Sequence, residues 1–113
     1  MRPGTLVIVH LVNPTEKFWG ILQELGVAGI ILRGLNVSSF DDWMAQAVRK
    51  EDQTLGLSTM FVPLFRVERI FLDEAVGEVE SYRQRFQSRV GMAVERYLGL
   101  GEGGEDDSSE VPS

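Results

Sequence analysis

The chain has no cysteine and a single histidine. The first absence removes any disulfide framework, thiolate nucleophile or sulfur-ligated metal, and is compatible with a reducing, cytoplasmic setting. The second removes histidine clusters, so a histidine-based catalytic triad would depend on His10 alone. Long apolar runs are missing as well. The stretch from Leu6 to Val12 is interrupted by His10 and is too short for a signal core or a membrane span, so no membrane role is expected. What remains is 43% hydrophobic residues over 113 positions, enough for one soluble domain with its own core.

A formal net charge of -6 is unevenly distributed. Glu102, Glu105, Asp106, Asp107 and Glu110 place five negative charges in the last thirteen residues, with no basic residue among them. The first hundred residues hold all 11 basic side chains against 12 acidic ones. The body, taken as a single domain over 1–99, is therefore almost neutral. The tail, 100–113, reads as a disordered acidic appendage rich in Gly and Ser.

Thr5 to Val12 is β-branched and aliphatic, a first strand expected to be covered on both faces. Asn13-Pro14-Thr15-Glu16 supplies turn chemistry. A second strand follows from Lys17 to about Leu25, and Gly20 inside it predicts a sharply curved strand, as a small barrel needs. A third runs from Ile30 toward Val37. The period then changes: Phe40, Trp43, Met44, Ala47 and Val48 make an apolar helix stripe, predicting a helix over 40–50 with a capping box from Ser39 and Asp42. Ser58 to Val62 and Val67 to Leu72 read as strands four and five. Asp73 to Leu98 predicts a second helix, with Val79, Tyr82, Phe86, Val90, Ala93 and Tyr97 on one stripe and Asp73-Glu74 at its start. The expected fold is mainly β: a small, strongly bent five-stranded barrel with a helix inserted between strands three and four and a C-terminal helix over 74–98.

The segments VHLVNPTEKFWGILQELGVAGIILRGLNV and LSTMFVPLFRVERIFLDE resemble the two sequence blocks of the Sm-like family, of LSm and Hfq type. Leu11-Val12-Asn13, Gly20, Leu22 and Ile30-Ile31-Leu32 match the first block in order, and Met60, Val67 and Ile70 the second. The resemblance implies a bent SH3-like barrel whose fourth strand pairs with the fifth strand of a neighbour, closing a homo-oligomeric ring of five to seven copies. It implies an RNA-binding role less directly. Pro63-Leu64-Phe65 stands where Hfq has a Tyr-Lys-His run, and Gly26 and Gly29 stand where Sm proteins place a base-holding Asp and Asn.

No metal or cofactor site is expected. Gly99-Leu100-Gly101-Glu102-Gly103-Gly104 matches a dinucleotide-binding string by letter, but it follows a helix and leads into acidic residues. Two functional expectations result. One is a non-enzymatic binding or scaffold module that assembles with itself. The alternative is a single-stranded RNA binder using Lys17, Trp19, Arg33, Arg66 and Arg69, since aromatics beside basic residues suit unpaired bases and phosphates. DNA is not an expected partner. Phe18 and Trp19 alternate in direction along a strand, so one should face outward, and Trp19 with Lys17 is the expected choice. A weaker third reading is a small enzyme using His10 and a carboxylate across a subunit interface.

Overall fold

The structure, a computed structural model, describes residues 1–50 and 55–100. The acidic stretch 101–113 lies outside the described residues. The chain divides into two compact units, Met1–Asp73 and the residues from Glu74 onward.

In the first unit, β1 (Thr5–Leu11), β2 (Glu16–Leu25), β3 (Gly29–Asn36), β4 (Ser58–Pro63) and β5 (Val67–Leu72) form one antiparallel sheet in the order β4-β3-β2-β1-β5. The helix α1 (Phe40–Arg49) lies between β3 and β4. The strands and this helix therefore fall within a residue or two of where the periodicity puts them. Asn13, at φ 56, and the cis peptide bond before Pro14 make the β1–β2 turn.

The expected closed barrel is not formed. β4 and β5 occupy opposite edges, and no pairing joins them among the described residues. The sheet is nonetheless strongly curved. Leu64 N–H donates to the Ala28 carbonyl at 3.0 Å, and Val12 N–H donates to the Arg66 carbonyl at 2.8 Å. Ala28 and Val12 flank opposite ends of β2, a strand that would span about 33 Å if straight. A stretch of three residues reaches about 10 Å, so the two ends of β2 must converge on it.

Gly20, in the middle of β2, pairs with Gly34 on β3. A Cβ on Gly20 would lie 2.3 Å from the Arg33 carbonyl oxygen, and one on Gly34 would lie 2.3 Å from the Trp19 carbonyl oxygen. The two strands approach so closely there that only glycine fits.

The curved sheet buries side chains on both faces. Val7, Val9, Leu11, Leu22, Ile30, Leu32 and Val62 form the core on the concave side, with Phe18, Met60, Val67 and Ile70 packed against it. On the other face Trp19 meets Phe40 and Trp43, with ring centroids 5.1 and 5.7 Å away. This second core resolves the Phe18–Trp19 alternation. Both residues are inside, on opposite faces, because α1 covers the face that a simple barrel would leave open.

Two details of capping differ from expectation. Ser39 makes no side-chain cap, so the Ser39–Asp42 box does not form. Asn36 instead accepts from Ser38 N–H at 2.9 Å, turning the chain through a short 3-10 turn into α1. Asp41 and Asp42 do occupy the first turn of α1, where carboxylates suit the helix dipole. Beyond α1, the Gln46 amide bonds both the N–H and the C=O of Leu55.

In the second unit the long helix over 74–98 is not formed. Val76 and Val79 exchange backbone hydrogen bonds in a tight turn. The helix α2 (Tyr82–Val90) starts only after Ser81, whose side chain accepts from Gln84 N–H while the Gln84 side chain accepts from Ser81 N–H. Gly91, at φ 86, ends it. The short α3 (Val94–Tyr97) follows, placing Phe86 and Tyr97 rings 5.3 Å apart. The apolar spacing was real, but a strong cap and a left-handed glycine divide it.

Candidate functional site

Strand register, more than sequence proximity, decides which charged residues meet. His10 on β1 pairs with Lys17 on β2 and with Arg69 on β5. These three side chains form one cross-strand row on the face opposite the concave core. The β1–β5 register shifts after His10 and skips Glu68. Phe71, two residues along β5, lies on the same face, with its ring 4.9 Å from the His10 ring and the Arg69 guanidinium 5.9 Å from its centroid. Lys17, Arg69 and Phe71 are exposed and His10 is half-buried. The His10 pKa is lowered from 6.5, first by burial and then by Lys17 and Arg69, against an opposing effect of Glu68.

The other residues singled out in the sequence have different surroundings. Trp19 is fully buried, and its indole Nε1 donates to the Asp73 carboxylate at 3.0 Å. It shares a face with Lys17 as the alternation requires, but it is not the outward partner-facing aromatic that was expected. Arg66 is committed to the β1–β2 turn: Nε donates to the Val12 carbonyl, and one terminal nitrogen donates to the Pro14 carbonyl and to Glu16. Arg33 is half-buried on β3, opposite Ile21 and Thr59, away from the His10 row. Of the five residues, the register brings only Lys17 and Arg69 together. It adds His10 and Phe71, which only a correct β1–β5 pairing could have revealed.

Asp73 likewise departs from its expected place at a helix start. It is a buried carboxylate just after β5, and its own N–H donates to the Leu6 carbonyl at 3.0 Å.

A second feature is apolar. At the β4 edge, Phe61 is 57% exposed, and Phe65, in the turn after β4, is 83% exposed. Leu64 beside them is tied to the β2–β3 hairpin tip, where Val27 is 98% exposed. At the opposite edge Phe71 and Leu72 of β5 are each 43% exposed.

Among the described residues no group of three His, Asp or Glu side chains is arranged to hold a metal. No helix among them is long and apolar enough to cross a membrane. The fold so defined is a small β-rich one, an open, curved five-stranded antiparallel sheet with a helix between its third and fourth strands. No protein-family model, curated protein or solved structure matches the chain.

Proposed function

We propose that this protein is a non-enzymatic, Sm-like binding or scaffold module that works as a homo-oligomeric ring, β4 of one copy pairing with β5 of the next. The observation that carries this reading is the pair of sheet edges that have no strand partner among the described residues, each with large apolar side chains exposed: Phe61 with Phe65 at one, Phe71 with Leu72 at the other. Unprotected edges invite pairing with another chain. Here the two edges differ in sequence, so the contact is heterologous, and repetition closes a ring or extends a fibre. Strong curvature of the sheet favours closure, because it turns each successive copy relative to the last.

Light scattering coupled to gel filtration on the full chain tests this. A discrete species of about five to seven copies is expected, the count coming from the family resemblance. Phe61→Asp and Phe71→Asp, each at a surface position on its own edge, should both reduce the mass to a monomer while leaving the circular dichroism spectrum intact. A wild-type monomer across the accessible concentration range would end the ring reading.

A further inference from the structure

Like charges directly opposite one another on neighbouring strands are destabilising. In the His10 row, Lys17 and Arg69 flank the histidine on both sides, and no carboxylate completes the row. Glu16 on β2 is engaged by Arg66 at 3.0 Å. Glu68 lies 3.6 Å from the Arg69 guanidinium, but both side chains are about half exposed, a geometry of little energetic value. Lys17 has no ion pair among the described residues. The sheet therefore holds three nitrogen-bearing side chains side by side across three paired strands.

We propose that Lys17, His10 and Arg69 form an oxyanion site for a ligand carrying linked phosphate groups. The row crosses two strand spacings, about 10 Å, so its two outer cations can engage different phosphates of one ligand. The Arg69 guanidinium supplies a fork suited to two phosphate oxygens, and Lys17 supplies a mobile point charge. His10, between them, offers a ring N–H in either protonation state and a full charge when protonated. Phe71 packs against both His10 and Arg69 and limits their freedom. The charged groups that face His10 are Lys17 from β2 and Glu68 and Arg69 from β5. Glu68 works against the site, so its removal should strengthen binding. Affinity should rise as the pH falls through the titration of His10. The row lies within one sheet, although Arg69 and Phe71 belong to β5, the edge strand at which a neighbouring copy would pair.

The one imidazole in the chain makes the test direct. Tripolyphosphate is titrated into the full-length protein, with chloride matched for ionic strength, while the His10 ring resonances are followed by NMR. A saturable shift and a rise in the His10 pKa are expected. Lys17→Gln with Arg69→Gln should weaken binding about tenfold or more, with thermal unfolding unchanged; Lys17→Gln alone serves if the double variant is less stable. A single-stranded oligonucleotide titrated in parallel separates the sources of the phosphate. Movement by both ligands assigns the site to a nucleic-acid backbone, and movement by tripolyphosphate alone to a free oligophosphate. If neither ligand moves His10 beyond the chloride control, or the double variant binds as wild type does, the site does not exist.

Discussion

The indole N–H of Trp19 donates to the carboxylate of Asp73 at 3.0 Å, in a buried position 54 residues apart in sequence. That bond ties the middle of β2 to the residue immediately after β5, across β1, and closes the core beneath α1. Asp73→Ala should leave a buried indole N–H without its acceptor and cost about 1 to 3 kcal/mol. Asp73→Asn, which keeps a carbonyl oxygen at the site, should cost less. Urea unfolding followed by tryptophan emission would check both; equal losses in the two variants would mean that the carboxylate's charge, not its acceptor role, matters.

Gly20→Ala should be among the most damaging small changes in the chain. The added methyl would sit 2.3 Å from the Arg33 carbonyl and 2.5 Å from Gly34 Cα, backbone atoms that can move only if β2 straightens. A loss of at least about 2 kcal/mol is expected, within the range of overpacked cores. Gly26→Ala, where a Cβ meets nothing closer than 3.8 Å, should be nearly neutral. Parallel thermal melts of the two variants make the comparison. Equal behaviour would remove the close strand approach as the cause of the bend.

Gly20 also shows how far sequence reaches in this fold. A glycine inside an otherwise apolar strand pattern signals a bend or a close backbone approach, and at Gly20 the close approach of β3 is there. Its partner Gly34 carries the same constraint, but its meaning depends on the β2–β3 register, which no local pattern encodes. The helix stripe at Phe40, Trp43 and Met44 was legible because period 3.6 is a local property. That the helix would cover the second sheet face, and so bury Trp19, was not, because it is a tertiary fact. The same holds for the candidate site. Lys17 and Arg69 were visible as separate basic residues, 52 positions apart, and only pairing through β1 places His10 between them. In the second unit the apolar spacing suggested one long helix. The capping box at Ser81 and the glycine at 91 were both readable signals, and both outweighed the stripe.

Ser81 is buried, and its hydroxyl accepts the Gln84 N–H at 3.0 Å while Gln84 returns a bond to Ser81 N–H at 2.8 Å. Ser81→Ala should destabilise α2 by about 1 kcal/mol. Gln84→Ala removes the other half of the box and should cost less. Amide hydrogen exchange over 82–90 provides the readout, and unchanged protection in both variants would show that packing of Phe86 alone holds the helix.

The pH dependence of stability should carry a signature of His10. Burial, then Lys17 and Arg69, lower its pKa in the folded chain below the ordinary 6.5, despite Glu68. The unfolded chain therefore takes up this proton at a higher pH than the folded chain does. The stability tied to neutral His10 is complete above pH 6.5, falls as the pH drops from there through the folded pKa, and changes no further below it. A loss of stability on acidification through this window is therefore expected from His10. Urea midpoints measured stepwise through this window should decline in the wild type and stay level in His10→Gln. Lys17→Gln should shallow the decline by raising the folded pKa, and a decline that survives in His10→Gln would assign it to another group.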